Sequence, residues 1–566
     1  MTVQIIRQPK LYDVVIVGSG AGGGMAAKVL CDAGADVLML EAGVPWDVEK
    51  DSKMSAWAYD SPRRGAGTPD KPFGEFDGCI GGWDLKGEPY TQAAGDQFDW
   101  FRARMVGGRT NHWGRISLRM GPDDFRGRSL DGLGDDWPIG YDDIKPYYDK
   151  LDALVGIFGS NEGIRNEPDG VFLPPPKPRC YELLIKQAAD ALGITCIPSR
   201  LSILTRPLNG RPACHYCGQC GRGCASHSNF SSPSVLLAPA LQTGRLTLVT
   251  GAMAREVTTD ENGLATGVSY VNTNDRREYQ VRGRVVVVAA SACESARLLL
   301  NSRSTRHPNG LANGSGVVGK YLTDSTGLTV SGYIPKLANG VPHNEDGVGG
   351  MHLYFPWWLD NKKLDFPRGY HVELGGGRHA PGFGFMGGIQ RLNGVGGYGK
   401  QLKDDYRKYY AATVSFSGRG EMIPNEKTWC EIDRNVVDAY GIPVLRFHAA
   451  FSDHELLQAK HMQETFREVI HRMGGTPLGS MPSKEDRYGL APVGRIIHEV
   501  GTTRMGNDPK TSVLNANCQA HEVKNLFVAD AGPFVSNAHK NCTWTILALA
   551  MRTGEYIAQQ RRQLSL

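Results

Sequence analysis

The chain has 566 residues, of which 71 are glycine, and its formal net charge at pH 7 is +4. A hydrophobic fraction of 41% excludes disorder as the main state, and this length is typical of two to four domains' worth of chain. The near balance of charges argues against a nucleic-acid-binding face. No apolar run approaches ~20 residues, so we expect no membrane span, and the first residues lack the pattern of an export signal.

The predicted elements alternate between strand and helix at the start of the chain and become mostly strands after residue 330. Short apolar runs rich in β-branched residues indicate strands, and runs of helix-forming residues indicate helices. Residues 44–100 are predicted to form long loops, and residues 330–450 a β-rich region. In chain order the predictions are strand Tyr12–Val17, helix Met25–Leu30, strand Ala35–Leu40, strand Leu246–Thr250, strand Arg284–Ala289, strand Asn525–Asp530 and helix Ile546–Gln560.

A glycine-rich turn joins the first predicted strand to the first predicted helix. Gly18 permits the tight turn, Gly20 lets the backbone approach a pyrophosphate, and Gly23 lets the helix pack closely on the strand. The N-terminus of the helix offers free N–H groups to phosphates. Glu41 ends the next strand at about the ~20-residue offset expected of a ribose-binding carboxylate, which would repel a 2′-phosphate. The pattern predicts a dinucleotide site that disfavours NADP; the alternative is a glycine-rich turn without a ligand.

Further motifs follow in a fixed order over nearly the whole chain. After the first glycine-rich turn come a second glycine-rich element and, near the end of the chain, a late strand. A dinucleotide site that draws on the start, middle and end of the chain favours FAD over NAD. The segments are residues 17–24, 106–113, 287–300, 498–505, 525–530 and 541–546. Together they resemble the glucose–methanol–choline (GMC) oxidoreductases.

The GMC resemblance implies an α/β fold, α+β overall, with a Rossmann-like FAD-binding domain and an antiparallel-sheet substrate domain. It divides the chain into FAD-binding parts at 1–130, 225–330 and 486–566, a connecting segment with a cysteine loop at 131–224, and a substrate-binding sheet at 331–485. The residues that it implies for FAD binding are Gly18, Gly20, Gly23, Glu41, Gly108, Asn111, His112, Ala529, Asp530 and Thr543.

The same resemblance implies alcohol oxidation, in which a base takes the hydroxyl proton while hydride leaves for the flavin. His498 matches the base position, and histidine titrates near neutral pH without large perturbation. Asn541 matches the partner position, where it would hydrogen-bond the substrate oxygen. His539 is the competing base, its other interpretation being an exposed loop residue. The helix that starts near Cys542 is implied to point its N-terminus at the flavin pyrimidine edge.

Two further assignments leave alternatives open. His112 lies in Thr-Asn-His-Trp, an imperfect match to the context in which pyranose oxidases attach FAD covalently, so it either carries the flavin or packs near it. Aromatic and polar side chains of the β-rich region could line a sugar site or belong to the sheet's core or surface. These side chains are His352, Tyr354, Trp357, Trp358, Tyr370 and His371.

Four cysteines lie within eleven residues. Cys214, Cys217, Cys220 and Cys224 follow C-x₂-C-x₂-C-x₃-C, the ligand spacing of ferredoxins without the usual following proline. Zinc sites more often use two separated C-x₂-C pairs. The spacing favours an iron–sulfur cluster, [4Fe-4S] or [3Fe-4S], over zinc, free thiols or disulfides.

A cluster beside FAD predicts a dehydrogenase that exports single electrons. The cysteine loop most resembles that of bacterial glucoside 3-dehydrogenases, which implies a sugar or glucoside substrate, a small subunit carrying an export signal, a cytochrome c acceptor and a periplasmic location by co-export, otherwise a cytoplasmic one. The alternatives are an oxygen-using sugar or alcohol oxidase with zinc or no metal, a sugar dehydrogenase acting at C1 or C2, and an electron-transfer flavoprotein without substrate chemistry.

Overall fold

The computed structural model describes residues 5–54, 56–57, 60–68, 74, 77–340, 347–356, 364–377 and 397–563. The strands are β1 (Ile5–Val17), β2 (Val37–Leu40), β3 (Gly81–Gly82), β4 (Thr91–Gln92), β5 (Arg102–Ala103), β6 (Ile197–Pro198), β7 (Leu246–Val249), β8 (Ala252–Thr259), β9 (Ala265–Asn272), β10 (Glu278–Val288), β11 (Ser325–Tyr333), β12 (Leu353–Phe355), β13 (Tyr370–Gly376), β14 (Thr413–Glu421), β15 (Trp429–Val437), β16 (Pro443–His448), β17 (Thr476–Pro477) and β18 (Leu526–Val528).

The α-helices are α1 (Ala21–Asp32), α2 (Val48–Asp51), α3 (Gly127–Asp131), α4 (Tyr141–Val155), α5 (Cys180–Ala191), α6 (Ala238–Gln242), α7 (Ala292–Asn301), α8 (Gly399–Tyr409), α9 (Asp453–Arg472) and α10 (Thr543–Arg562). Single 3₁₀ turns at Gly108–Asn111 and Cys220–Arg222 lie in two of the predicted motifs. No helix within the described ranges combines the length and the apolarity that crossing a membrane requires.

The first sheet is parallel at its centre. Strands β7, β2, β1 and β10 lie side by side, and β18 pairs in parallel with the last residues of β10. Val14–Val17 lies opposite Val285–Val288, and both runs are buried, because a parallel sheet covered on both faces requires continuous apolar strands. The five predicted strands and two predicted helices are confirmed as β1, β2, β7, β10, β18, α1 and α10.

The second sheet is antiparallel throughout. Its order is β17–β11–β14–β13–β12–β6, and α9 packs on it through apolar residues such as Phe466 and Ile470. The sheet has its own hydrophobic core, separate from that of the parallel sheet. The sequence predicted this sheet within residues 331–485, but β6 lies well before that segment and β11 begins at Ser325. The domain boundaries themselves stay a prediction.

The two sheets bring distant segments together at one place. The carboxyl ends of β1, β10 and β18 meet at one edge of the parallel sheet, where α/β folds bind their ligands. The start of β11 reaches the same region, since Thr323 pairs with Val500 just beyond the predicted base His498. This meeting point holds the candidate active site.

Candidate active site

A cavity of about 430 Å³ opens at the carboxyl edge of the parallel sheet. Most of the predicted site residues line it. They are Gly18, Gly20, Glu41, Gly108, His112, Asp530, Thr543, His498 and Asn541. Gly23, Asn111 and Ala529 do not line the cavity but support its wall from behind.

The glycines of the first turn occupy positions where a larger residue would collide or intrude. Gly18 has φ of 101°, and a Cβ there would lie 2.3 Å from the Ala289 carbonyl oxygen. A Cβ at Gly23 would lie 2.0 Å from the Gly18 carbonyl oxygen, which explains the close packing of α1. A Cβ at Gly20, the residue that precedes α1, would meet no protein atom within 4 Å. The backbone at Gly20 is therefore accessible to a ligand in the cavity.

Glu41 is buried in the cavity wall with its carboxylate anchored. It accepts hydrogen bonds from the backbone N–H of Ser19 at 3.1 Å and of Gly43 at 2.8 Å, and from the Ser19 hydroxyl. Burial raises the pKa of Glu41, and these hydrogen bonds oppose that rise. A carboxylate has about four acceptor positions, so Glu41 retains capacity for ribose hydroxyls. The anchored carboxylate fits the dinucleotide that the glycines imply.

The second glycine-rich element forms part of the same wall. Asn111 donates to the Val106 carbonyl at 2.9 Å, which ties down the turn that presents Gly108. His112 lies 3.4 Å from an Asp77 oxygen through Nδ1 and stacks on Phe101. His112 thus faces the cavity, and its covalent attachment to flavin stays a prediction.

The last strand and last helix complete the cavity. Ala529 packs so closely on α1 that a Cβ at Gly22 would lie 1.5 Å from its carbonyl oxygen. Asp530 accepts hydrogen bonds from the backbone N–H of Ser291 at 3.0 Å and of Gly532 at 2.7 Å, and burial raises its pKa to about 6 despite these bonds. The N-terminus of α10, at Thr543, also faces the cavity.

The predicted catalytic pair is in direct contact. Asn541 Nδ2 lies 3.3 Å from His498 Nε2, and the Ser325 hydroxyl lies 3.0 Å from His498 Nδ1. Asn541 Nδ2 also donates to Glu373 Oε1 at 3.2 Å. A carboxylate can only accept, so Glu373 orients the amide, and the amide in turn makes Nε2 of His498 an acceptor with its proton on Nδ1.

The surroundings of His498 keep its imidazole neutral. Burial within the protein and then the positive charge of Arg419 lower the pKa of His498 to about 3, although Glu373 acts in the opposite direction. Burial would raise the pKa of Glu373, but Arg419, 3.2 Å away, holds it below its usual value. The site thus combines a neutral imidazole with an ionised carboxylate.

Glu373, Arg419, Ser325 and Asp324 are functional candidates that the sequence reasoning missed. His371 and Glu373 alternate on β13, and Arg419 lies opposite His371 on β14. Polar residues spaced by two on a strand share one face of a sheet, so the pattern His-Val-Glu within a predicted β-rich region was a usable signal. Asp324 and Ser325 gave no comparable signal.

His539 is not the exposed loop residue of the alternative interpretation. It is buried, its Nε2 lies 3.0 Å from Lys540 Nζ and 3.6 Å from Glu167, and it does not line the cavity. Burial and the charge of Lys540 lower its pKa. His539 belongs to a buried ionic group beneath the site.

Four of the six residues expected at a sugar site are buried in the sheet. His352, Tyr354, Tyr370 and His371 are fully buried and do not line the cavity. His371 nevertheless contributes indirectly, since its Nε2 lies 3.5 Å from Glu373. The remaining two, at positions 357 and 358, lie outside the described residues.

The cysteine loop lies against the cavity wall. All four thiols are half-buried, and the backbone N–H of Gly78 donates to the Gly221 carbonyl at 2.7 Å, one residue away from the cavity-lining Asp77. In the described ranges, the one set of three metal-ligating atoms all within 4.8 Å of one another belongs to Asp77, Cys79 and His112. The four thiols therefore do not form a compact single-ion site, and they form no clear cluster site.

The fold and the cavity are those of a dinucleotide-binding α/β protein, and comparison with known proteins identifies its family as flavin-dependent oxidoreductases. Family models described as GMC oxidoreductase match residues 91–326 and 426–550. A 2-methyl-1,2-propanediol dehydrogenase from Mycolicibacterium austroafricanum is 30% identical over 97% of this chain and 95% of its own. The fructose dehydrogenase large subunit of Gluconobacter japonicus is 25% identical over 97% and 98%.

A solved structure agrees with this assignment at the level of the fold. A variant formate oxidase from Aspergillus oryzae RIB40 matches with a TM-score of 0.67 at 14% identity, covering 98% of this chain and 99% of the other. The chain therefore belongs to the GMC oxidoreductase family. The predicted family, the α/β fold with an FAD-binding domain, and an oxidoreductase acting on CH–OH groups are confirmed.

Proposed function

We propose that this protein is an FAD-dependent dehydrogenase that oxidises a secondary hydroxyl of a sugar, with C3 of a glucoside as the site of attack. The observation that carries the proposal is the contact between His498 Nε2 and Asn541 Nδ2 in the cavity wall. Bound FAD supplies the hydride acceptor for such an oxidation. The chain's own residues orient the substrate hydroxyl and remove its proton.

His498 is suited to take that proton. Its pKa of about 3 differs from the near-neutral titration expected from the sequence: the ring is neutral at physiological pH and the Nε2 lone pair is available, but the ring is a weaker base than a free imidazole. Glu373 opposes this weakening. A substrate hydroxyl placed between the two side chains would donate its proton to His498 Nε2 and accept a hydrogen bond from the Asn541 amide. Ser325, bonded to Nδ1, keeps the ring from rotating away. Base and amide thus hold the hydroxyl in one geometry.

The residues expected to hold FAD keep the roles that the sequence suggested. We assign the ribose to Glu41, the pyrophosphate to Gly18, Gly20 and the N-terminus of α1, and the flavin end to Gly108, His112, Asp530 and Thr543. Gly23, Asn111 and Ala529 support these groups through packing and backbone hydrogen bonds. The open space above Gly20 and the anchored Glu41 support this arrangement.

We assign an iron–sulfur cluster, [4Fe-4S] or [3Fe-4S], to Cys214, Cys217, Cys220 and Cys224. The ferredoxin spacing of these residues supports the assignment, as does the contact between their loop and the cavity wall. The loop would then carry single electrons away from the flavin.

Electron export requires partners. We propose a cytochrome c acceptor and a small subunit that carries the export signal, which together would place the enzyme in the periplasm. A relative that aligns over nearly its whole length is named as a large subunit, which supports an assembly with further subunits. Sugar substrates are also supported by that relative's name.

The cofactor content of the protein is the first test of this proposal. Anaerobically purified protein is expected to contain flavin, iron and acid-labile sulfide. Mixing it anaerobically with methyl β-D-glucopyranoside should bleach the flavin and yield a 3-keto sugar, and His498→Ala should bleach slowly while retaining FAD. Cys220→Ser should bleach normally but fail to reduce a cytochrome. Protein without iron that makes peroxide as fast as it reduces a dye would instead be an oxidase.

A further inference from the structure

A buried carboxylate beneath the catalytic histidine has no role in the proposed chemistry. Asp324 is fully buried, and burial and the nearby charge of Glu499 raise its pKa to about 7. Its oxygens accept three backbone N–H groups, those of Ser325 at 2.8 Å, His498 at 2.9 Å and Ile496 at 3.1 Å. Burying a carboxyl group beside a second acidic side chain is unfavourable, so the position of Asp324 calls for an explanation.

The turn that Asp324 holds contains an unfavourable backbone conformation. Ile497 has φ of 65°, in the left-handed region that β-branched residues rarely adopt. The two N–H groups that flank it, on Ile496 and His498, both bond to Asp324. Such conformations persist where the surroundings over-determine them, and they cluster at functional sites. Asp324 supplies that constraint on both sides of the strained residue.

The residue after Asp324 extends the same constraint to the imidazole. Ser325 contacts His498 Nδ1, and its hydroxyl oxygen also accepts a hydrogen bond from Asn537 at 3.2 Å. Asp324 and Ser325 therefore fix the main chain and the ring of His498 from one point at the start of β11. A shift of either would move Nε2 away from Asn541.

We propose that Asp324 is the positioning residue of His498, holding the strained 496–498 turn so that Nε2 meets the substrate hydroxyl. This inference rests on the proposed role of His498 as the proton acceptor. Asp324 touches neither the cavity nor the reacting atoms, and it acts through the backbone of the turn. A displacement of about 1 Å costs a catalytic group about 100-fold in rate. A residue outside the cavity that fixes the position of His498 is therefore expected to affect the rate strongly.

The first test replaces Asp324 with asparagine in the FAD-loaded enzyme. The asparagine NH₂ group opposes a backbone N–H that the carboxylate accepted, so the 494–499 amides should exchange hydrogen at least tenfold faster. The limiting rate of anaerobic flavin reduction by methyl β-D-glucopyranoside should fall about 100-fold, with FAD content retained and the half-saturating sugar concentration changed less than threefold. Asp438→Asn is the control for a buried carboxylate that accepts two backbone N–H groups away from the site; because Asp438 also pairs with Arg297 at 2.7 Å, its loss tests general destabilisation more severely than Asp324→Asn does.

A second variant separates positioning from general destabilisation. Glycine adopts positive φ without strain, so in an Ile497→Gly background the turn needs less constraint. The rate loss caused by Asp324→Asn should then shrink at least threefold relative to the loss in the native background. An equal loss in both backgrounds, or unchanged amide exchange in Asp324→Asn, would overturn the proposal.

The outcome of His498→Ala, measured in parallel, distinguishes the two levels of inference. If His498→Ala reduces flavin at the native rate, the proposed function of His498 is wrong. If His498→Ala is slow while Asp324→Asn is as fast as the native enzyme, the positioning role alone is wrong.

Discussion

Replacing Glu373 with glutamine tests the orientation of the Asn541 amide, which we propose holds the substrate hydroxyl. The carboxylate fixes Asn541 because it can only accept a hydrogen bond. A glutamine side chain can either accept from the Asn541 NH₂ group or donate to the Asn541 oxygen, so it no longer selects one orientation of the amide. A hydrogen bond to a charged group contributes about 1.5–3 kcal/mol. If this amount is lost from the reacting geometry, flavin reduction slows by about 10–150-fold, at about 1.4 kcal/mol per factor of ten.

A second effect of the substitution acts in the same direction. Glu373 raises the pKa of His498, so its neutralisation leaves Arg419 unopposed and makes the imidazole a weaker proton acceptor. The assay is anaerobic stopped-flow bleaching of the flavin at saturating sugar. Glu278→Gln serves as the control, because Glu278 is a mostly buried glutamate paired with Arg255 on the parallel sheet. A Glu373→Gln rate within twofold of native, beside a slow His498→Ala, would refute the reasoning.

Two further predictions concern the glycines of the cofactor site and the pH dependence of the stability of the fold. Gly20→Val should keep the fold, because a Cβ there meets no protein atom within 4 Å, but should lose FAD, because the side chain enters the cavity that Gly20 lines. Gly23→Val should unfold at lower urea because its Cβ strikes the Gly18 carbonyl oxygen. Flavin content and urea midpoints check the two variants. Burial would raise the pKa of Glu294, but Arg104 and Arg297 outweigh it and lower the pKa to about 2 from 4.5. That ionised group stabilises the fold by about 3 kcal/mol above pH 4.5, and the contribution is lost as the pH falls toward 2. The difference in the free energy of unfolding between the native protein and Glu294→Gln should therefore be smaller at pH 3 than at pH 7. An equal difference at both pH values would contradict the stabilising role of ionised Glu294.

The parallel sheet was predictable because its signals are local. The apolar runs that became β1 and β10 are continuous, and the glycines between β1 and α1 occur at the spacing that their backbone contacts require. The β8–β9 hairpin and α4 were not predicted. In α4 a proline lies inside the helix at Pro146, and tertiary packing of Tyr148 and Leu151 outweighs its local cost.

The candidate site was predictable only where a motif carried it. The motifs predicted His498 and Asn541, which the structure brings into contact in the cavity wall. They did not predict what orients the Asn541 amide or lowers the pKa of His498, because both depend on contacts between residues far apart in sequence. Glu373 lies 168 positions from Asn541, and Asp324 lies 174 positions from His498. Hydrophobic periodicity predicts which face of a strand is buried, but it does not predict which polar side chain meets which across a sheet.

The two sheets contribute different residues to the site, so substitutions on each sheet should have different effects on FAD affinity and on the rate of flavin reduction. The parallel sheet supplies the glycines and carboxylates assigned to FAD, whereas the antiparallel sheet supplies Ser325, Glu373 and Arg419, which set the orientation and charge of the catalytic pair. Substitutions on β13 or β14 that tilt Glu373 should therefore slow flavin reduction while leaving FAD affinity unchanged. Substitutions at the carboxyl edge of β1 should act first on FAD affinity. Because the groups proposed to set proton acceptance and those assigned to cofactor binding lie on separate sheets, substitutions should be able to change the rate of flavin reduction and the FAD affinity independently.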